Sequence, residues 1–394
     1  MQSYDRIAKC YASSMPSDAT PPDRPAAEFT PQATPPRRAG PVRMRDIAAV
    51  AGVSQSTVSR VLNDAPTRVP IAPETRERVN QAARRLGYRP NPLARGLRGA
   101  STMLIGAVVR DFSDPFFATA IEALAVEAMA RGYNVVLGHA HGRVDEGLGL
   151  TAVLETRHCD AIVMLGDMQD QPRLLDDLRT GSVPVVALWQ GTSPLEFPTI
   201  DVDDQAGIVA GLEHLIGLGH ARIGFVSAEL PGDNWRRHDA FVEFMRSRSG
   251  DLPAGYVQVV PNTLAGGEEA LRALLALPEP PTAVVTSTDL AAVGVLHGAY
   301  NEGRTVPDEL SVVGFDDLHL AAYTVPALTT LRMPIAEIVG EGVELAIELG
   351  RDTSLSREPR RKYFEPQLVV RQSTAPPGGV PNSAAATSGA AAAV

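Results

Sequence analysis

The 394-residue sequence has only two cysteines, Cys10 and Cys159, and it contains no long apolar run. Two cysteines cannot build a disulfide framework, and a membrane-spanning helix needs about 18 or more consecutive apolar residues. The N-terminus also lacks the compact apolar stretch that a secretory signal requires. We therefore expect a cytoplasmic protein that does not associate with the membrane.

The sequence also lacks the short motifs that mark common catalytic and cofactor sites. It has no G-x-G-x-x-G fingerprint, no Walker A loop, no G-x-S-x-G elbow and no H-E-x-x-H zinc motif. We expect neither a cofactor nor a bound metal, and an enzymatic function has no motif to support it.

Lysine is absent from residues 41–100, where 11 arginines against four acidic residues give a formal charge of +7. Because the whole chain carries −10, the remainder carries −17. This asymmetry predicts a basic anion-binding module joined to an acidic domain. A merely solvated basic face is the weaker interpretation for so much charge in so short a stretch.

Residues 41–88 of the basic module contain the start and stop signals of three short helices. The first covers about 44–51 and is closed by Gly52, and Ser54 is placed to cap a second that ends near residue 62. The third begins at Pro73 and stops at Gly87. Two helices joined by a short glycine-containing turn predict a helix-turn-helix.

The segments that flank the module have a different character. Residues 1–40 and 376–394 are rich in proline, alanine or other small residues without periodicity, so we expect both to be disordered. Residues 89–101 predict a linker with one very short helix, which is marginal in water unless a partner stabilises it.

Residues 102–375 alternate apolar strand-length runs, such as "MLIGAVV" and "SVVGF", with helical stretches. This alternation predicts parallel sheets covered by helices on both faces. The length favours two α/β lobes, and we predict that the chain crosses between them near 190–200 and near 320–332. Ligands of such folds bind at the carboxyl ends of strands, here between the lobes.

The stretch "AGVSQSTVSR", residues 51–60, predicts a short helix with a narrow apolar side and an outer side of hydroxyl groups, followed by one arginine. A helix of this kind offers hydrogen-bonding groups and a guanidinium to a partner outside the protein.

Several stretches together resemble a known family. "MRDIAAVAGVSQSTVSRVLN", "ETRERVNQAARRLGYRPN", "SDPFF", "LGHARIGF", "SVVGFDD" and "LTTLR" occur in this order between about residues 42 and 374. They are similar to transcriptional regulators of the LacI/GalR type. The resemblance implies a small all-α helix-turn-helix headpiece, a hinge helix, and a two-lobed α/β core like that of periplasmic binding proteins. It also implies a homodimer on a palindromic operator in double-stranded DNA.

Under this resemblance the hydroxyl-lined helix is the recognition helix, which lies in the major groove. Its residues divide into candidate base contacts, which read sequence, and candidate backbone contacts, which set register. The base contacts are Gln55, Ser56 and Arg60, and the backbone contacts are Ser54, Thr57, Ser59 and Asn63. For Ser54, helix capping and phosphate contact remain equally open. In the linker, Leu97 aligns with the family's minor-groove wedge, and the hinge contacts are Leu97, Asn91 and Ala94.

The resemblance also implies a small-molecule effector, a sugar or related metabolite, bound between the lobes. Asp and Arg side chains bond hydroxyl groups, and aromatic faces stack on sugar rings. By motif position the effector residues are Arg110, Asp111, Phe116, Trp189, Arg237, Thr288 and Asp316.

These observations predict a ligand-responsive DNA-binding transcriptional regulator, a repressor in the first instance. An activator or dual regulator of the same architecture is the alternative. A solute-binding protein is a more distant one, because the headpiece and the lack of a signal peptide argue against it.

Overall fold

The computed structural model describes residues 42–62, 70–88, 101–140, 159–191, 196–229, 233–352 and 354–378. The chain divides into two compact units, Met1–Pro90 and Asn91–Val394. The predicted disordered segment 1–40 and the hinge residues Asn91, Ala94 and Leu97 lie outside the described residues, as does the predicted tail from residue 379 onward.

The first unit contains the three predicted helices, α1 Met44–Ala51, α2 Gln55–Leu62 and α3 Pro73–Leu86. Gly52 and Gly87 end α1 and α3 in the left-handed conformation, which glycine adopts without steric cost. One apolar side chain from each helix is fully buried and together they centre a small core: Ile47, Val58 and Val79. The predicted helix-turn-helix is confirmed.

The second unit is built from twelve strands and seven α-helices among the residues described. In chain order they are β1 Leu104–Val109, α4 Pro115–Ala130, β2 Asn134–His139, β3 Ala161–Leu165, α5 Pro172–Thr180, β4 Val185–Leu188, β5 Thr199–Val202, α6 Asp204–Gly217, β6 Ile223–Ala228, α7 Asp233–Ser249, β7 Val257–Val260, α8 Leu264–Leu275, β8 Ala283–Thr286, α9 Asp289–Asn301, β9 Ser311–Asp316, β10 Thr329–Arg332, α10 Ile335–Arg351, β11 Arg361–Phe364 and β12 Gln367–Val369.

The strands form two six-stranded sheets, one in each lobe. The first lobe has the order β11-β5-β4-β3-β1-β2, and every neighbouring pair is parallel. The second lobe has the order β12-β10-β9-β8-β6-β7, in which only β12 is antiparallel to its neighbour. Burial on both faces explains the continuous apolar runs of strands such as β3, whose residues are all buried. The predicted parallel α/β architecture is confirmed.

The chain passes between the lobes three times, at Asp203, at Met333–Pro334 and at Glu365–Pro366. The first two crossings lie a few residues beyond the predicted positions, because 199–202 and 329–332 form the short strands β5 and β10 before the chain leaves each sheet. The third crossing was not predicted. It adds β11 to the first sheet and β12 to the second; β11 carries two cationic residues, and β12 is only three residues long.

In the described part of the chain, no helix has the length and apolarity that crossing a membrane would need.

Helices α8 and α9 approach each other closely through glycines. A Cβ atom on Gly294 would lie 2.1 Å from the Leu264 carbonyl oxygen, and one on Gly267 would lie 2.2 Å from that of Ala291.

We expect Gly294→Ala to lower the free energy of unfolding by about 1–3 kcal/mol, because the backbone atoms of the two helices must separate to make room for the added methyl group. Urea unfolding followed by circular dichroism checks this. Gly217→Ala is the matched control, since nothing lies within 4 Å of a Cβ there; equal stability losses in both variants would contradict the expectation.

His220 is buried in the second lobe and bonds the C-terminal segment of the core at Ala375. Its Nε2 lies 2.9 Å from the Ala375 carbonyl, which can only accept, so Nε2 carries the proton. Its Nδ1 then accepts from the Thr282 hydroxyl at 2.9 Å. Burial is the main reason that the pKa of His220 lies below its ordinary value.

A histidine whose pKa is lowered by folding binds its proton more readily in the unfolded chain. We therefore expect its contribution to stability to be complete above about pH 6.5, the ordinary histidine pKa, and to decline as the pH falls below it. Urea unfolding of wild type and His220→Gln at pH values on both sides of this point measures the effect. The variant should lose less stability on acidification than the wild type, and identical pH dependences would rule out this role for His220.

Candidate functional site

Helix α2 in the first unit presents its polar side to solvent. Val58 and Val61 face the small core, whereas Gln55, Ser56 and Arg60 are exposed. The three predicted base contacts therefore share the accessible side of one helix. Thr57 and Ser59 are half-buried beside them, and Asn63 lies outside the described residues.

Ser54 caps this helix. Its Oγ accepts a hydrogen bond from the backbone N–H of Thr57 at 3.1 Å, and it lies 2.7 Å from the Ser56 hydroxyl and 2.8 Å from the Thr57 hydroxyl. The capping function that the sequence predicted for Ser54 is therefore present. The three hydroxyl groups are hydrogen-bonded to one another at the exposed start of the helix. Backbone N–H groups and the helix dipole favour an anion at this position.

The second site lies in the core, where strand ends of the two lobes meet. Trp189 directly follows β4, and Asp316 is the last residue of β9. Their φ angles are +59° and +124°, which non-glycine residues rarely adopt. Such strain persists where surrounding structure enforces it, and it concentrates at ligand sites. The two lobes thus each contribute one residue with a strained backbone conformation at the end of a strand.

Arg237 of α7 is the best-anchored cation of the core. Its Nε donates to Asp204 Oδ1 at 2.8 Å, and its Nη1 donates to the Ser287 carbonyl at 2.6 Å and lies 3.5 Å from Asp316 Oδ1. The guanidinium also stacks over the Phe315 ring at 3.7 Å from its centroid. Burial raises the pKa of both carboxyl groups, and the Arg237 charge opposes this rise.

Trp189 is completely buried, and its indole Nε1 has no hydrogen-bond partner among the described residues. Its ring meets Phe116 edge to face, with centroids 5.0 Å apart. A buried donor that lacks an acceptor is costly, so an acceptor oxygen supplied from outside the chain would be favoured here. The predicted residues Trp189 and Phe116 therefore form one aromatic wall with a donor on it.

The other predicted effector residues are already bonded within the protein. Thr288 caps α9 and donates to Asn262 Oδ1 at 2.8 Å. Arg110 pairs with Asp170 at 3.0 Å and also bonds the Asp167 carbonyl.

Asp111 accepts a hydrogen bond from the backbone N–H of Ser113 at 2.8 Å. The structure therefore joins Arg237 with Asp316, and Phe116 with Trp189, whereas Arg110 bonds Asp170 and Asp111 bonds its own loop.

A second ion cluster links the lobes beside Arg237. Asp201 of β5 is fully buried and lies 3.4 Å from Arg236 of α7 and 3.6 Å from Arg361 of β11. Burial, the largest cause, raises the pKa of Asp201 to about 7 despite these two cations. This cluster and Asp204 were not among the residues predicted from the sequence. The stretches "DVDD" at 201–204 and "WRR" at 235–237 carry opposite charges and could have indicated it.

Asn262 and Asp114 were also missed. Asn262 Nδ2 donates to Asp114 Oδ2 at 3.0 Å, and this bond joins the two lobes. Within the described residues no group of three or more His, Cys, Asp and Glu side chains could hold a metal ion.

Comparison with known proteins decides the family. Residues 43–91 match the family described as bacterial regulatory proteins of the lacI family, and residues 212–374 match a periplasmic binding protein-like domain. The transcriptional repressor CytR of Escherichia coli K12 is 32% identical over 334 residues, covering 84% of this chain and 96% of CytR. The chain belongs to the LacI family. The resemblance predicted from its motifs is confirmed.

Two solved structures show how this LacI-family chain compares in fold. The Lac repressor dimer bound to operator and the anti-inducer ONPF has a TM-score of 0.74 and 24% identity, covering 85% of this chain and all of that chain. The complex of the regulator CelR with cellobiose has a TM-score of 0.62 and 28% identity, covering 84% of this chain and 99% of that one.

Proposed function

We propose that this LacI-family chain is a sequence-specific DNA-binding transcriptional regulator, a repressor, whose operator affinity is controlled by a small molecule bound between the core lobes. The observation that carries the proposal is the combination of an exposed, hydroxyl-lined recognition helix with a two-lobed core in one chain that is similar to CytR over most of its length. Its relatives are transcription regulators, and we propose no enzymatic activity.

For DNA, we assign base reading to Gln55, Ser56 and Arg60 of α2. Their shared exposure supports this assignment. Glutamine can bond adenine bidentately and arginine can bond guanine O6 and N7, while a small serine lets the helix approach the groove. Contacts with the DNA backbone are assigned to Ser54, Thr57, Ser59 and Asn63, and minor-groove contacts to Leu97, Asn91 and Ala94.

We further propose that two copies of the chain bind a palindromic operator, as a dimer presents two recognition helices to two half-sites. The Lac repressor structure, a dimer on its operator, supports this arrangement by analogy of fold.

For the effector, we propose a polar ring compound such as a sugar or related metabolite. Arg237 and Asp316 would orient hydroxyl groups, because a guanidinium donates and a carboxylate accepts. Phe116 and Trp189 supply an apolar wall, and the unpartnered Trp189 Nε1 supplies a donor for a ligand oxygen. Arg110, Asp111 and Thr288 remain proposed effector residues that must exchange protein bonds for ligand bonds. The cellobiose complex of CelR supports the ligand class.

Two measurements on the full chain test this function. Gel shifts with genomic fragments should yield a small set of bound sequences, with binding that weakens steeply as salt rises. A thermal-shift screen with sugars and nucleosides should yield a ligand that raises the melting temperature, because it binds only the native state.

Ligand stabilisation without any DNA binding would instead favour a solute-binding protein, and ligand turnover detected by mass spectrometry would favour an enzyme. Repression and activation are distinguished by a reporter gene placed behind the bound fragment.

A further inference from the structure

One hydrogen-bonded chain connects the lobes across the cleft. Asn262, between β7 and α8 in the second lobe, donates through Nδ2 to Asp114 Oδ2 of the first lobe at 3.0 Å. Thr288 donates through Oγ1 to Asn262 Oδ1 at 2.8 Å. Both ends of the chain are helix N-caps: Asp114 accepts from the backbone N–H of Phe116 to cap α4, and Thr288 caps α9. A single amide therefore bridges the N-terminus of one helix in each lobe.

The donor and acceptor directions of these hydrogen bonds require an amide side chain at position 262. A carboxylate only accepts hydrogen bonds, so its partner must donate, and the Thr288 hydroxyl is placed as a donor, so its partner must accept. An asparagine side chain offers one donor end and one acceptor end, which satisfies both neighbours at once. Separation of the lobes would break the bond to Asp114 and leave its partly buried carboxylate without this donor.

The surroundings of Asp114 make the bond consequential. Burial is the largest influence and raises the pKa of Asp114, whereas the bonds from Phe116 and Asn262 and the nearby Arg237 charge lower it. Its hydrogen-bond donors therefore stabilise the ionised form of Asp114, and Asn262 is the donor that comes from the opposite lobe. Asp114 also feels the charge of Arg237, the residue proposed to orient the effector.

We propose that Asn262 is a latch between the lobes, a positioning residue that stabilises their closed arrangement through Asp114 before any effector contributes. This proposal rests on the proposed function in that it assigns part of the regulation to a protein contact within the same cleft. An effector then acts on a closing equilibrium that the latch has already biased, so the latch sets how much effector is needed.

The test measures the distance between the lobes in the full chain without DNA or effector. Spin labels are attached at Arg179→Cys on α5 and Arg246→Cys on α7, both exposed positions, in a background of Cys10→Ser and Cys159→Ala. Labelled protein is mixed with excess unlabelled protein so that any dimer carries one labelled copy, and the distances are read by double electron–electron resonance.

Asn262→Asp removes the donor and places two carboxylates against each other. We expect the open-to-closed ratio of the distance distribution to rise roughly tenfold or more. Combining Asn262→Asp with Asp114→Asn restores a donor opposite an acceptor with the direction reversed, and it keeps an acceptor for Thr288. We expect this double variant to return to the distribution of the unmutated protein. Asn134→Asp, the same change at an exposed position at the start of β2, is the control and should alter nothing.

The double variant separates the latch from a general loss of structure, because simple misfolding caused by Asn262→Asp would not be repaired at Asp114. A distribution unchanged by Asn262→Asp, or one that the double variant fails to restore, would overturn the latch. Since neither DNA nor effector is present, failure of the latch leaves the proposed regulatory function intact, and absence of DNA binding leaves the latch measurable.

Discussion

Replacement of Arg237 by alanine should lower the free energy of unfolding of the core by about 3–5 kcal/mol, the cost of leaving buried partners of an ion pair uncompensated. Arg237 is only 4% exposed, and it lies between Asp204, which is fully buried, and Asp316. Without the guanidinium, two carboxylates remain in a dry environment and the Ser287 carbonyl loses its donor. Urea unfolding followed by circular dichroism measures the loss.

The pH dependence of this variant follows from the same carboxylates. Burial already raises the pKa of Asp204 and Asp316, and removal of the opposing Arg237 charge should raise both further. A group whose pKa is higher in the folded state favours folding at low pH and loses this contribution as the pH rises through that pKa. The stability deficit should therefore be smaller in mild acid than in mild base.

Arg246→Ala, on the exposed side of the same helix, is the control and should leave stability nearly unchanged. Arg237→Lys keeps the charge but lacks the forked geometry, so an intermediate loss is expected. If Arg237→Ala unfolded at the same urea concentration as the wild type, Arg237 would not stabilise the buried carboxylates as described. Arg237→Ala should also show no thermal shift with an effector that stabilises the wild type.

Replacement of Arg60 by alanine should weaken operator binding by roughly 10- to 100-fold for each half-site, the value of one good bidentate base contact, and the two losses multiply in the dimer. Arg60 is exposed on α2, so its removal should leave the headpiece folded. The loss should be specific to sequence: the preference at one base position of each half-site should relax. Fluorescence anisotropy with an operator and with variants substituted at each position measures both effects.

Arg85→Ala is the matched control for charge, because Arg85 is an exposed arginine of the same unit on α3 rather than α2. This variant should bind all DNA sequences more weakly to a similar extent, or with unchanged affinity, and it should retain its base preference. Loss of base preference in Arg85→Ala together with its retention in Arg60→Ala would contradict the assignment of α2 as the reading helix.

The headpiece could be predicted nearly to the residue because its boundaries are encoded locally. Gly52 and Gly87 stop helices by adopting left-handed conformations, and Ser54 begins one with its own hydroxyl. Such signals act over three or four residues. They are therefore visible in the sequence without knowledge of what packs against them.

The core was predicted less completely. Strands with unbroken apolar runs, such as β1 and β9, were predicted, whereas β5, β10, β11 and β12 were missed. The missed strands are three or four residues long and contain polar or charged side chains. Neighbours from distant parts of the chain define them, and for this reason the crossing points were misplaced and the third crossing was overlooked.

The cleft shows the same limit. Motif position predicted Arg237, Asp316, Trp189 and Phe116, which the structure brings together in pairs. It did not identify Asn262, whose bond to Asp114 spans 148 residues of sequence. Contacts of this kind depend on where two lobes meet, and nothing in the local pattern of either stretch indicates them.

A ligand in the core is proposed to control the binding of DNA by the headpiece. Titration of the full chain onto its operator, with and without a saturating concentration of the stabilising ligand, measures this control. We predict a change in operator affinity of about 5- to 150-fold, matched by an equal factor in ligand affinity when operator is present. Identical operator affinities in the two titrations would show that the ligand does not control DNA binding.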